Sequence, residues 1–244
     1  MPAIRSLAAA AAVSLAAPLA LPAAAQELTA EEVKRLALEA ILENPEIVME
    51  AVDILRAREA EAAAAQQAEA LAGNMDRLTE EENAPVIGNP EGDVTVVEFF
   101  DYNCPYCRRA GEAVKALIEA DAGVRVLYRE WPILGEGSVA ASRAALAARA
   151  QGMYEEMHWA LMAAPGRLDE AAVMAVAAEA GLDVERLRAD MEAPEVAAHI
   201  DASMALAEEI GFSGTPSFVI GEEAVAGLVP LEELQRLVEA AREG

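Results

Sequence analysis

Apolar residues near the start of the chain recur at helical spacing, with Val33, Leu36, Ala37, Ala40 and Ile41 marking one face of a helix. Thr29 and Glu32 stand three apart ahead of it, the spacing of a capping box in which each side chain serves the other's backbone N–H. Asn44-Pro45 ends this helix and opens a second through Ile47, Val48, Ala51, Val52 and Leu55, which continues as an Ala/Glu/Gln-rich tract to Gly73-Asn74. Between Leu55 and Leu71 no large apolar residue occurs, so this stretch has little to bury and reads as an exposed arm. A linker around residues 80–85 follows.

Beyond the linker the period changes. Runs rich in β-branched and aromatic residues predict strands at Val94 to Phe100, Val124 to Glu130 and Ser217 to Ile220, with a short partner near Ala224 to Leu228. Alanine-rich helical patterns fill Ser138 to Ala150, Met153 to Met162, Leu168 to Ala180, Val184 to Met191 and Pro194 to Ile210, and a last helix covers Leu231 to Arg242. Strands at both ends with helices between them predict an α/β unit carrying a helical insertion.

Charge and the chain's first residues narrow the setting. Arg5 followed by the Ala/Leu-rich Leu7 to Ala25 has the form of a signal peptide, with a small-residue end at Ala23-Ala24-Ala25. Pro18 and Pro22 interrupt the apolar run, which argues against an uncleaved anchor. The expected domains are therefore a signal peptide at 1–25, a helical arm at 26–83 and a catalytic domain at 84–244, with the insertion at about 136–205. Removing residues 1–25 takes away one arginine and no acid, so the formal charge moves from −25 to −26. Such a chain repels nucleic acid and anionic lipid. The expected location is periplasmic, an oxidising compartment.

The chemistry lies in the only two cysteines, Cys104-Pro105-Tyr106-Cys107, directly after the first long strand. The stretch that follows, with Ala110, Val114, Leu117 and Ile118 at helical spacing, puts Cys104 at a helix start. There the unpaired N–H groups and the positive end of the dipole favour the thiolate, the reactive form. Cys107 lies one turn on, within reach of a mixed disulfide held on Cys104. Cys104 is thus expected to attack and Cys107 to resolve. A disulfide closing so short a loop would be a poor staple, because it removes little chain entropy. A zinc site would need more ligands than the remaining His158 and His199, which are not in finger-like spacing. Cu(I) binding by the two thiols stays open as an alternative. No cofactor and no structural metal are called for.

Glu98 lies in the strand on the side of Val96 and Phe100, where an unpaired carboxylate is costly. It is expected either to exchange protons with the cysteines or to pair with a cation such as Arg129. Glu130 is a weaker candidate of the same kind. Arg108 and Arg109 are candidates for steadying the thiolate, while His158, His199 and Trp159 read as ordinary helix residues.

Three segments together, Phe99-Phe100-Asp101-Tyr102-Asn103-Cys104-Pro105-Tyr106-Cys107, Tyr128-Arg129-Glu130-Trp131-Pro132 and Gly214-Thr215-Pro216-Ser217-Phe218, resemble the DsbA-like branch of the thioredoxin superfamily. The resemblance covers roughly Val86 to Val238, and the Leu28 to Leu55 region is similar to the N-terminal segment of ScsC-type and Com1-like periplasmic proteins. It implies a thioredoxin fold with a helical insertion, preceded by an N-terminal helical arm. It also implies a cis-proline at Pro216 facing the Cys104 sulfur, with Thr215 before it, and a buried acid at Glu98. The implied activity is thiol–disulfide exchange with exported client proteins, a membrane redox partner resetting the dithiol, and homo-oligomerisation through residues 28–72. Strongly oxidising members carry Pro-His between the cysteines and Val before the cis-proline. Pro105-Tyr106 and Thr215 therefore tilt the expectation towards an isomerase or reductase, with a disulfide-donating oxidase or a chaperone or copper-binding module as alternatives.

Overall fold

The computed structural model describes residues 28–79 and 83–243, so the expected signal peptide lies outside the described residues. The described chain divides into two compact units, 28–57 and 58–243. In the first, helix α1 (Ala30–Glu43) opens on the expected capping box: Thr29 N–H donates to Glu32 Oε2 at 2.9 Å and Glu32 N–H to Thr29 Oγ1 at 3.3 Å. No residue of α1 is buried, and Val33, Leu36, Ile41, Ile47, Val48 and Leu55 are all exposed.

Helix α2 (Glu46–Thr79) runs beyond the expected stop at Gly73-Asn74. Two things sustain it within the second unit. Asn74 folds its side chain back to donate to Ala70 O at 2.9 Å instead of breaking the helix. Leu71 and Leu78 are buried in a core shared with Val97, Phe99, Trp131, Leu206, Ile210 and Phe212, so the last turns gain packing that local propensity does not supply. The carbonyls at the helix end accept from arginines of the sheet, Arg125 to Thr79 O at 3.0 Å and Arg129 to Arg77 O and Leu78 O.

The sheet has five strands in the order β1-β3-β2-β4-β5: β1 (Val86–Gly88), β2 (Val94–Phe100), β3 (Val124–Glu130), β4 (Ser217–Ile220) and β5 (Glu223–Ala226). The central β2 runs parallel to β3 and antiparallel to β4. Being central it is buried on both faces, which explains its continuous apolar run. Val94, Val96 and Phe100 join the larger core, and Val97 and Phe99 join the smaller one. In β3, Val124, Val126 and Tyr128 face the larger core and Leu127 the smaller. Each large side chain so removed from water contributes about 1.5–3 kcal/mol.

Helix α3 (Pro105–Ala120) joins β2 to β3. The insertion between β3 and β4 holds α4 (Glu136–Ala148), α5 (Tyr154–Ala163), α6 (Glu170–Glu179), α7 (Val184–Asp190) and α8 (Pro194–Ile210). Buried alanines on α4 (Ala141, Ala144, Ala145, Ala147 and Ala148) let the other four approach closely. Helix α9 (Leu231–Glu243) returns against α3. This is the expected α/β class, with strands at both ends and a helical insertion between them.

Candidate active site

Strand β2 ends at Phe100, and four residues later Cys104 is the N-cap of α3, with Pro105 in the first turn. Cys104 N–H donates to Asp101 O at 3.0 Å, closing a tight turn. Cys104 is 5% exposed and Cys107 is fully buried, and both are free thiols. The Thr215–Pro216 peptide is cis, and its approach brings Thr215 O to 3.3 Å from Cys104 Sγ, where the thiol donates.

The two sulfurs are driven in opposite directions. The Cys104 thiol is pulled down to about 5, chiefly because its anion accepts a bond from the Cys107 thiol. Burial opposes this, while the Thr215 side chain and the N–H groups of Cys107 and Tyr106 assist. Cys107 is pushed far up, first by burial, then by its bond to Cys104 and the neighbouring charges of Glu98 and Cys104. At neutral pH the outer sulfur is an anion and the inner one holds its proton, the division of labour that nucleophile and resolving thiol require.

The loop before Cys104 is tied down on both sides. The buried Asp101 carboxylate accepts from Asn103 N–H at 2.7 Å and from Leu134 N–H at 2.9 Å. The Asn103 amide accepts from Leu168 N–H at 2.7 Å and donates to Leu168 O at 3.1 Å and Ser138 Oγ at 3.2 Å. Residues of the insertion therefore hold the cysteine turn. On the inner side the wholly buried Tyr102 donates its hydroxyl to Glu130 Oε1 at 3.1 Å, and Arg108 Nε donates to Tyr102 O at 2.8 Å.

Glu98 is fully buried and neither oxygen has a hydrogen-bond partner. Burial above all, then the charges of Glu130 and Cys104, push its carboxyl up to about 8. The alternative of a pair with Arg129 fails on geometry: Arg129 stands opposite Phe99 in the register, on the other face of the sheet, and donates to the end of α2. Arg108 likewise turns to carbonyls, those of Tyr102 and Ala164, and Arg109 is exposed.

A polar cluster beneath the loop is absent from the sequence reading. Glu130 Oε1 also accepts from the Tyr154 hydroxyl at 3.1 Å, and burial pushes this carboxyl up to about 8 against the pull of its hydroxyl partners. His158 Nδ1 lies 3.1 Å from the Tyr102 hydroxyl, with the rings of Phe100, Tyr128, Tyr154 and Trp159 around it. His199 Nε2 accepts from Glu130 N–H at 3.2 Å. Burial drives both imidazoles down to about 3, so both are neutral. The one available signal was Glu130 itself, an acid in a buried strand that needs donors. Among the described residues no group of three or more His, Cys, Asp or Glu is arranged to hold a metal ion.

A helix-capping thiolate opposite a cis-proline, with a protonated thiol one turn behind it, is the working end of a thioredoxin-fold thiol–disulfide oxidoreductase. Within that class the chain belongs to the DsbA-like thioredoxin domain family, whose profile matches residues 95–239. A thioredoxin-like oxidoreductase from Silicibacter pomeroyi DSS-3 is 62% identical with a TM-score of 0.69, the match covering 69% of this chain and 98% of that one. A linker-deletion variant of ScsC from Proteus mirabilis is 27% identical with a TM-score of 0.66, over 91% of this chain and 99% of the other. A curated relative called Na(+)/H(+) antiporter NhaA 1, from Salinispora arenicola, is 34% identical over 161 residues, 65% of this chain. The present chain spans a quarter of that relative's length. Among the described residues no helix is long and apolar enough to cross a membrane.

Proposed function

We propose that this chain is an exported thiol–disulfide exchange enzyme that edits or reduces disulfides in exported proteins. Cys104 is the nucleophile. Its thiolate attacks a client disulfide, forming a Cys104–client mixed disulfide and releasing one client thiolate. In reduction, Cys107 gives up its proton and attacks Cys104. The second client thiolate leaves, and the two electrons of the dithiol end on the client while Cys104–Cys107 becomes the disulfide. In isomerisation the released client thiolate attacks a different client disulfide, a client thiol resolves the mixed disulfide, and Cys104 is regenerated with no net electron transfer. Glu98 accepts the Cys107 proton once Cys104 is tied up in the mixed disulfide: the Cys104 charge that helps to hold the Glu98 carboxyl up is then gone, which favours the carboxylate this step needs, and Glu98 is buried without a hydrogen-bond partner. Thr215 and cis-Pro216 dock an extended client segment through backbone groups.

The observation that carries this reading is the placement of the Cys104 sulfur at the N-cap of α3, 3.3 Å from Thr215 O beside cis-Pro216, with the buried Cys107 one turn behind it. Thr215 and Pro105-Tyr106 support the editing and reducing direction by the family pattern, in which case a membrane partner supplies the electrons that reset the site. The second reading, a disulfide donor, draws on the lowered Cys104 acidity itself, because a stabilised thiolate makes the disulfide form a better oxidant. Redox titration of the Cys104/Cys107 pair beside a scrambled-disulfide assay separates them. Repair of scrambled substrate under a reducing poise supports the editor, whereas oxidation of reduced substrate without repair sinks it.

Exposed apolar residues at Val33, Leu36, Ile41, Ile47 and Leu55 support homo-oligomerisation through residues 28–72. Light scattering of the chain lacking residues 26–57 against the mature chain tests this, and a mature chain that is already monomeric refutes it. The leader-like residues 1–25 support export to the periplasm.

A further inference from the structure

We propose that Glu130, acting through the Tyr102 hydroxyl, is a positioning residue for the reactive sulfur, fixing the short loop that delivers Cys104 to the cis-proline turn. The proposal rests on the reading of Cys104 as nucleophile and names what holds it in place. Strand pairing sets Glu130 directly opposite Phe100, the last residue before the loop, and Trp131 N–H donating to Phe100 O at 2.9 Å keeps the two strand ends in step. From there Glu130 Oε1 receives the Tyr102 hydroxyl at 3.1 Å. The Tyr102 hydroxyl has one proton, and it is given to Glu130. His158 Nδ1, 3.1 Å away, must therefore be the donor to the phenol oxygen, which fixes the Nδ1–H tautomer.

The result is a buried relay, His158 to Tyr102 to Glu130, with Tyr154 as the second donor on the same carboxylate oxygen. Tyr102 is thereby held at its ring tip by two groups and at its carbonyl by Arg108. Two residues further on is the sulfur, 3.3 Å from Thr215 O. A buried hydroxyl with both a donor and an acceptor has little freedom to move, because moving would leave a buried polar group unpaired. The Asp101 and Asn103 contacts hold the same loop to the insertion, whereas the hydroxyl of Tyr102 is its link to β3 and α5.

The test is a thiolate titration of Cys104, read by ultraviolet absorbance in the full mature protein, for Tyr102→Phe, Glu130→Ala, Glu130→Gln and their Tyr102→Phe doubles. Tyr102→Phe deletes one oxygen and keeps the ring packed on Phe100. It is expected to raise the Cys104 midpoint by about one pH unit, a tenfold change in the ionisation constant. Glu130→Ala is expected to do the same and to add nothing to Tyr102→Phe, since both break one link. Glu130→Gln keeps an acceptor oxygen and is expected to stay near wild type. Tyr128→Phe, which removes an unpartnered hydroxyl from the same ring cluster, is the control for general loosening. An unmoved Cys104 midpoint in Tyr102→Phe overturns the proposal, as does a shift in Glu130→Gln as large as in Glu130→Ala, or an equal shift in Tyr128→Phe. Loss of exchange with a scrambled substrate in Cys104→Ala tests Cys104 as nucleophile, and the titration tests the anchor, so either can fail alone.

Discussion

The sulfur of Cys104 lies 3.3 Å from the carbonyl oxygen of Thr215, across 111 residues of chain. Two separate pieces of sequence thus meet at one atom, and the helical insertion sits between them. While the thiol is protonated it donates to that carbonyl. Once ionised it is held instead by the Cys107 thiol above all, then by the Thr215 side chain and N–H groups of the first turn of α3. The carbonyl of Thr215 is then facing an anion and is better used by a donor from outside, such as the N–H of an extended polypeptide.

Replacement of the two cysteines should therefore give different phenotypes. Cys104→Ala is expected to abolish exchange with a scrambled-disulfide substrate. Cys107→Ala leaves the nucleophile but removes the resolving thiol, so client proteins should accumulate as mixed disulfides that a reductant releases. Non-reducing electrophoresis followed by mass spectrometry reads both, and activity in Cys104→Ala would reverse the assignment.

Stability should pass through a maximum near pH 6.5. Burial holds His158 and His199 at about 3, against about 6.5 in an unfolded chain, so between those values the unfolded state binds more protons and stability rises with pH. Glu98 and Glu130, held at about 8 against about 4.3 unfolded, act in the opposite sense: their contribution is complete below about 4.3 and is lost as pH climbs to 8. Cys104, held at about 5 against about 8.5 unfolded, adds one rising contribution above pH 5. Above the histidine window two falling terms face one rising term, and stability should decline at about 1 kcal/mol per pH unit up to pH 8. Glu98→Gln removes one falling term, so its urea midpoint should stay nearly flat over pH 6.5 to 8 while that of the wild type falls.

Much of this architecture is written locally. The two-residue spacing of the cysteines, the β-branched and aromatic run of Val94 to Phe100 and the Thr29/Glu32 box each act over a few residues, and strand and capping chemistry make them readable. What escaped reading depends on contacts between distant segments. Asn74 looked like a helix stop because its side chain competes for backbone, yet it bonds back to Ala70 and α2 continues into a core made by Phe99 and Ile210. Strand β1 is three residues long and exists through its antiparallel pairing with β3, so it leaves almost no periodic trace. His158 reads as one polar position on an apolar helix, and only the folded chain brings it beneath Tyr102.

Gly137→Ala should damage the site without touching a cysteine. A β-carbon there would drive into the carbonyl oxygen of Leu168 and stand 3.3 Å from Asn103 Nδ2. Both atoms belong to the clasp that holds the loop before Cys104, and Leu168 is backbone that cannot rotate away. The cost should be about 1–3 kcal/mol of stability, as for other overpacked positions. Exchange should slow by more than the unfolded fraction explains, because the Asn103 contacts must shift to make room. Gly152→Ala makes a useful comparison: nothing lies within 4 Å of its new β-carbon, so any loss there comes from its left-handed backbone alone and should leave exchange per folded molecule unchanged.

Arg129→Met tests how the end of α2 is held. Arg129 is buried on the Phe99 face of β3 and donates to the carbonyls of Arg77 and Leu78, in the last turn of α2, where carbonyls run short of helical partners. Burial pulls the guanidinium down only to about 10, so it is charged throughout the neutral range and its bonds are charge-assisted. Methionine matches the length and apolar stem of arginine but offers no donor, so the two carbonyls lose this partner, that of Leu78 in a buried setting. Each is expected to cost about 1–3 kcal/mol, against a gain from no longer burying a charge. If the capping role dominates, the variant should melt earlier, and amide exchange should quicken first in residues 71–79 while the strands stay protected. Unchanged exchange in α2 together with a higher melting temperature would mean that the arginine is kept at a net cost to stability, as some buried ions are.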